Sequence, residues 1–344
     1  MKALVLEDYH KLAYKDVPDA ALRDENDILV RVRAASICGS DVHGIDGSTG
    51  RRRPPIIMGH EAAGEIVAIG KNVKNYKVGE AITFDSTEYC GSCFYCRQGK
   101  VNLCDNRRVL GVSCAEYSRS GAFAEYVVVP QHIAYKMPEG LDYVDAALAE
   151  PAGVAAHAIA ITPVALGDSY VVVGTGLIGL LLIQILRAST PGLIIALDTD
   201  ASRRESALRF GADAAFDPTV DGCAEAVRKL TGGRGADHAF EAVGTTVTIR
   251  TAIDLVRKGG SVTLIGNFSP NVEVPLQVIV TKQLALYGSC AISGEYPLVL
   301  DLMARKKIDV QAIVSAVAPL EEGASWFDRL YKREPGLLKV VLTP

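Results

Sequence analysis

No stretch of this 344-residue chain stays apolar for long enough to cross a bilayer. The longest apolar run, Val171 to Leu186, is broken by three glycines and Gln184, which suits strand, turn and helix better than a span. An excess of positive charge is also missing. With 36 Lys and Arg against 40 Asp and Glu, the net charge of -4 gives neither nucleic acid nor an anionic membrane a reason to bind. No secretory signal opens the chain, since Met1-Lys2-Ala3-Leu4-Val5-Leu6-Glu7-Asp8 turns acidic too early. Repeats and low-complexity tracts are absent. The eight cysteines do not form a disulfide framework either, because the chain is neither short nor evidently secreted. Cytoplasm is the expected compartment. What remains is an ordinary globular composition, 49% hydrophobic and 22% charged, at a length that predicts about two domains.

Two groups of metal-ligand residues stand out. Four cysteines fall in Cys90-Gly-Ser-Cys93-Phe-Tyr-Cys96-Arg-Gln-Gly-Lys-Val-Asn-Leu-Cys104. Four thiolates this close can close a tetrahedral zinc shell with no open position, the mark of a structural site. A redox Cys-x-x-Cys pair or four free thiols explain the spacing less well. No basic recognition helix follows the cysteines, so a nucleic-acid reader is not indicated. The second group is dispersed: Cys38 in Ile37-Cys38-Gly39-Ser40-Asp41-Val42-His43, His60 and Glu61 in Met58-Gly59-His60-Glu61, and Glu150 before Pro151. One sulfur, one imidazole and acidic oxygens suit a catalytic zinc with an open fourth position. Adjacent strand residues face opposite ways, so His60 and Glu61 can serve one metal only at a bend, for which Gly59 and Gly64 are the candidates. A lone His-Glu pair is more often a buried hydrogen-bonded pair; the other ligands tip the balance.

A third signal lies in Tyr170-Val171-Val172-Val173 followed at once by Gly174-Thr175-Gly176-Leu177-Ile178-Gly179 and an apolar helical stretch to about Ala188. A bare Gly-x-Gly-x-x-Gly means little. Between strand and helix, the first glycine makes a tight turn, the second admits a pyrophosphate close to the backbone, and the third lets helix pack on strand. The helix N-terminus then faces the phosphates. The next strand, Leu193 to Leu197, ends at Asp198, 19 residues after Gly179, where a carboxylate would accept the adenosine ribose hydroxyls and favour NAD over NADP. Arg203 and Arg204 lie close behind and soften the repulsion of a 2′-phosphate.

Periodicity orders the rest. Strands are expected at 1–7, 28–34, 65–70, 80–84 and 122–130, with a loop at 38–43, so that roughly the first 135 residues form a β-rich domain. After about Ala152, strand and helix alternate: helices at 201–210 and 246–257, short strands at 214–216, 238–241, 261–266 and 284–288. Six strands with helical crossovers predict a doubly wound parallel sheet. Helices near 296–306 and 321–331 and a strand at 339–342 close the chain.

Taken together, Cys38 to His43, Gly59-His60-Glu61, the four-cysteine lobe, Gly121-Ala122-Phe123-Ala124-Glu125-Tyr126, Glu150-Pro151, and Gly174 to Gly179 with Asp198 resemble the zinc-dependent medium-chain dehydrogenases, nearly end to end. The alcohol branch of that family carries a cysteine where this chain has Glu150, so the polyol (sorbitol-like) branch fits better. The resemblance implies a GroES-like β-barrel catalytic domain, residues 1–152 and 290–344 with a zinc lobe at 90–104, and an inserted Rossmann domain at 153–289. It implies a homodimer or homotetramer joined through the Rossmann domains. It implies that Cys38 and His60 bind zinc, with Glu61 or Glu150 completing the shell directly or through water. Ser40 would take the proton of an alcohol substrate and His43 would pass it on. Without a catalytic role, Ser40 would be a loop cap and His43 a solvated loop histidine.

The implied activity is hydride transfer between a secondary alcohol of a polyol or sugar derivative and NAD. Two alternatives remain: a threonine-type or simple-alcohol dehydrogenase of the same family, and a non-catalytic zinc-stabilised nucleotide-binding protein. Arg51, Arg52 and Arg53, between the two ligand motifs, suggest a grip on a carboxylate or phosphate at the far end of the substrate, as in a sugar acid or sugar phosphate. The competing explanation is a solvated turn.

Overall fold

The computed structural model describes all residues 1–344 and divides into two compact units, Met1–Glu150 with Ile292–Pro344, and Pro151–Ala291. In the first unit the alternating strand Asp27–Ser36 is central. Ile28, Val30, Val32 and Ala34 are buried while Arg31 and Arg33 face out. Along one edge it pairs antiparallel with Glu61–Ile69, which continues into Ala81–Phe84 and Ala134–Lys136. Along the other it meets Tyr126–Pro130 and, at its C-terminal end, Lys339–Thr343, which pairs with Val314–Pro319. A smaller sheet orders Lys11–Asp16, Lys2–Asp8 and Ile56–Ile57.

The core between them draws on both ends of the chain. Leu4, Val30, Ile66, Phe84 and Phe123 share one cluster with Phe327 and Leu342. Phe123 and Phe327 meet edge to face at 5.7 Å. Each such side chain contributes about 1.5–3 kcal/mol by leaving water. The final segment is therefore part of this unit's core and not a tail.

Two local expectations change. Residues 38–43 are not a loop: Gly39–Gly44 is a short helix that Cys38 precedes in extended conformation. It is too short for a periodic signal. The bend at the metal motif belongs to Gly59 alone, whose φ is +94°. Gly64 sits inside the strand for a different reason, since a Cβ there would stand 2.1 Å from the Arg31 carbonyl oxygen across the ladder.

The second unit is a six-stranded parallel sheet in the order Ala214–Phe216, Ile194–Leu197, Tyr170–Val173, Ala236–Glu241, Val256–Leu264 and Ala285–Gly288. Order reverses beside Tyr170–Val173, the place where such sheets take ligands. Val171, Val173, Ile195 and Leu197 pack there against Ile249 and Ile253 of the helix Thr246–Leu255. That helix stops short of the expected 257, because Val256 and Arg257 already belong to the next strand, which runs through Gly259 and Gly260. The helices Cys223–Leu230 and Leu276–Lys282 add to those expected from periodicity. No helix is long and apolar enough to cross a membrane.

Candidate active site

The strand start at Glu61 and the helix start just after Cys38 place Cys38, His60 and Glu61 so that one ligand atom from each lies within 4.8 Å of the others. Sulfur, nitrogen and oxygen in one partly buried group suit zinc. The imidazole supplies an independent test. Nδ1 of His60 and Oδ2 of Asp41 are buried without a hydrogen-bond partner, yet they lie 3.3 Å apart. A proton on Nδ1 directed at Asp41 leaves Nε2 free as a ligand, the arrangement that metal-binding histidines adopt. Burial works against the His60 cation, but the charges of Asp41 and Cys38 outweigh it and raise its pKa well above the ordinary range. A cation, proton or metal, is thus electrostatically favoured at this spot.

The carboxylates differ. Glu61 is almost fully buried, and its Oε2 accepts from both Ser36 Oγ and the ammonium of Lys339, itself 1% exposed. Lys339 also donates to the Ile37 carbonyl at 3.0 Å. Glu150 stands in the first turn of the helix Ala149–Ala160, buried, accepting from Ser86 Oγ at 3.1 Å. Burial raises its pKa to about 7, with His60 pulling it down and Glu61 pushing it up. Glu150 thus lies in the same electrostatic neighbourhood but outside the set of converging ligand atoms.

Around this set the short helix arranges the remaining groups. Ser40 Oγ, exposed, donates to Cys38 Sγ at 3.3 Å. His43 is exposed in the last turn, its carbonyl accepting from Ser48 Oγ. Asp41 is fully buried, and Arg52 caps it with Nε at 2.8 Å and Nη2 at 2.7 Å, both on Oδ1. Burial pushes the Asp41 carboxyl up, but His60 and Arg52 overcome this and hold it at about 2.

The expected three-arginine grip does not form as a set, because Arg52 is 4% exposed and spent on Asp41. Only Arg51 and Arg53 remain exposed, with the Glu116 carboxylate near both. A charge run reads as solvated unless a buried partner claims a member, and that partner, Asp41, sits eleven residues upstream. Asp41, Arg52 and Lys339 are the polar residues whose roles sequence reasoning missed. Only Asp41, inside a ligand-bearing motif, carries any signal.

In the lobe, Cys90, Cys93, Cys96 and Cys104 converge within 4.8 Å, with Cys90 and Cys104 sulfurs 3.5 Å apart. Backbone N–H groups of Cys90 and Asn106 point at Cys104, and that of Cys96 at Cys93. Hydrogen bonds led by the Ser92 backbone lower the Cys90 pKa to about 5, while burial raises that of Cys96 to about 12. Four such sulfurs cannot all ionise together unless a cation is among them. The donor set fits a closed structural zinc.

In the second unit the three glycines separate by cause. Gly174 has φ +87°. A Cβ on Gly176 would meet nothing within 4 Å, so the space before the helix Leu177–Ser189 is open. A Cβ on Gly179 would lie 2.0 Å from the Gly174 carbonyl oxygen, which ties helix to strand. Leu177 and Ile178 form the first helical turn behind that opening. Asp198 follows the adjacent strand, its Oδ2 accepting from the Thr175 N–H at 2.8 Å and its Oδ1 from Asp200 N–H at 3.0 Å. Arg203 approaches Asp198 to 4.0 Å. This cradle fits a dinucleotide.

Comparison with known proteins decides the family. Residues 24–139 match the model of the alcohol dehydrogenase GroES-like domain, and residues 178–305 that of the zinc-binding dehydrogenases. The chain belongs to the zinc-binding dehydrogenases. Among its relatives, D-xylulose reductase A of Aspergillus oryzae is 34% identical, over 94% of this chain and 92% of that one. Sorbitol dehydrogenase of Bacillus subtilis is 31% identical, over 100% and 97%. A zinc-binding dehydrogenase structure from Sinorhizobium meliloti bound to NADP superposes with a TM-score of 0.90 at 31% identity, over 100% and 99%. The GroES-like barrel with a Rossmann sheet, the polyol branch of the family, and enzymatic oxidoreduction with zinc and a nicotinamide cofactor thus stand as expected from the sequence.

Proposed function

We propose that this dehydrogenase transfers hydride between a secondary alcohol of a polyol or sugar derivative and NAD. The observation that carries the proposal is the convergence of Cys38, His60 and Glu61 on one point, with Asp41 behind the imidazole. The names of the xylulose and sorbitol relatives support the substrate class. Bound there, zinc supplies Lewis acidity toward an alcohol oxygen, and the nicotinamide ring supplies the hydride acceptor. The chain's own residues do the rest. Cys38 and His60 would hold the metal, with Glu61, whose carboxylate converges with them, or Glu150, which lies outside that set, completing the shell directly or through water. Ser40 Oγ, beside Cys38, takes the hydroxyl proton of the substrate, and His43, exposed one helical turn on, releases it to solvent. Lys339 balances the charge of Glu61 from behind. Gly174, Gly176, Leu177, Ile178 and Gly179 would seat the pyrophosphate in the open space before the helix.

Cofactor choice turns on Asp198 and Arg203, since the Sinorhizobium relative of the same fold holds NADP. Oδ2 of Asp198 already accepts from the N–H and the Oγ1 of Thr175, so Oδ1, which accepts once from Asp200 N–H, would take a ribose hydroxyl, and the carboxylate charge would repel a 2′-phosphate. The test is steady-state kinetics with NAD and NADP over a panel of polyols, sugar acids, sugar phosphates, threonine and simple alcohols. A polyol or sugar derivative with NAD is expected to give the highest kcat/KM. Asp198→Asn keeps an acceptor for the Thr175 N–H while removing the charge, and is expected to shift the NAD:NADP ratio by about 10- to 100-fold toward NADP, the worth of one charged hydrogen bond. A wild type that prefers NADP sinks the cofactor assignment, and absence of turnover with the whole panel sinks the function.

The same proposal assigns a homodimer or homotetramer. Strand Ala285–Gly288 leaves one edge of the parallel sheet unpaired, and Leu276 and Val280 on the preceding helix are 69% and 67% exposed. A monomer in sedimentation equilibrium at micromolar concentration contradicts it. A reducing compartment, the cytoplasm, suits eight cysteines of which none is paired.

A further inference from the structure

We propose that Arg52 is a positioning residue that fixes both the histidine and the cysteine of the active-site metal, an inference that rests on the metal-site assignment above. The guanidinium lies at the centre of two short chains of contacts. On one side Nε and Nη2 both engage Oδ1 of Asp41, at 2.8 and 2.7 Å, which anchors that oxygen and leaves Oδ2 3.3 Å from His60 Nδ1. On the other side Nη2 donates to Ser40 Oγ at 3.3 Å, and Ser40 Oγ in turn donates to Cys38 Sγ at 3.3 Å. One planar group therefore sets the angle of the imidazole and the place of the hydroxyl that touches the thiolate. An ammonium lacks the fork needed to do both.

The surroundings hold Arg52 in that role. Nη1 bonds the Arg51 carbonyl at 3.0 Å. The backbone on either side is clipped to Ser113, with Ser113 N–H on the Arg51 carbonyl at 3.2 Å and Arg53 N–H on the Ser113 carbonyl at 3.0 Å. The aliphatic stem crosses the short helix where Gly44 presents no Cβ to it. A Cβ on Gly44 would stand 2.3 Å from Arg52 Cγ. A buried ion pair serving the fold alone would account for the burial, but not for the orphaned Oδ2 aimed at His60 or the second bond to Ser40.

The experiment uses the purified holoenzyme of wild type, Arg52→Met, Arg52→Lys and Gly44→Ala. Metal release to a chromogenic chelator is followed in time, and the visible spectrum is recorded with cobalt in the Cys38/His60 site. Arg52→Met is expected to release the active-site metal at least about tenfold faster, the usual effect of losing a residue behind a metal ligand, and to shift the cobalt bands. Release from the four-cysteine lobe should not change. Arg52→Lys should recover less than half of the lost retention on a logarithmic scale. Gly44→Ala, which pushes the stem aside, should move both readouts in the same direction. Unchanged release and unchanged cobalt bands in Arg52→Met overturn the proposal, as does full recovery by lysine. If Arg52→Met does not fold, Gly44→Ala decides, and wild-type behaviour in it overturns the proposal. A wild type holding only the lobe metal overturns the metal-site assignment, and the positioning role with it.

Discussion

Cys38→Ser is expected to lower kcat/KM by at least about 10³-fold and the metal content from two per chain to one, with the melting temperature nearly unchanged. Cys38 precedes the first turn of Gly39–Gly44 and makes no backbone ladder contact that a hydroxyl would break. Serine keeps the side-chain shape and still offers Ser40 an acceptor. What it removes is the thiolate, the one soft ligand of the set, so the site loses its metal and the alcohol loses the charge stabilisation that makes hydride departure feasible. Several kcal/mol of transition-state stabilisation corresponds to the stated factor. Metal analysis, circular dichroism and steady-state kinetics on the same sample separate the outcomes. A Cys38→Ser protein with full turnover contradicts the catalytic assignment outright.

Cys96→Ser should do the opposite, removing stability first and turnover only as a consequence. The lobe 90–104 has little apolar packing of its own: Phe94 is 67% exposed and Leu103 42%. The strand pair Thr87–Glu88 with Arg108–Val109 closes its base, and Ser293 Oγ donates to the Gly99 carbonyl. A closed zinc shell contributes on the order of 10–16 kcal/mol to small zinc-dependent peptides. If only a few kcal/mol of this reaches the whole unit, at about 2–4 °C per kcal/mol the melting temperature falls by about 10 °C. Limited proteolysis should cut the variant first within 90–104. An unchanged melting temperature together with an intact second metal would falsify the structural role.

The two groups of metal-ligand residues are legible in the sequence to different degrees because their geometry has different origins. The lobe is local: four cysteines within fifteen residues need only short turns to meet, and spacing alone announces them. The glycine loop is local too, and its three glycines sit in three different backbone settings: a positive φ at Gly174, open space at Gly176 and close approach at Gly179. The active site is assembled from segments that the barrel brings together, and there the sequence names ligand types without their supports. The helix at Gly39–Gly44 escapes a periodicity reading because six residues hold less than two periods. The strand Val256–Leu264 reads as shorter than it is because Gly259 and Gly260 look like a break, yet they lie within a parallel ladder.

The sequence by itself determined the fold class, two groups of metal-ligand residues of unlike character and the glycine loop between strand and helix, since each rests on a short-range pattern of period, spacing or glycine. The tertiary structure alone decided which charges serve the active site. Lys339 lies 278 residues from Glu61, yet a returning C-terminal strand lays its ammonium against that carboxylate. Arg52 reads as one of three surface arginines until Asp41, buried away from solvent, claims it. Burial makes such pairing compulsory, because an unpaired charge inside a protein is far more costly than the same charge in a solvated turn. Which residues become buried together is a property of the packed sheets and not of any window of the chain.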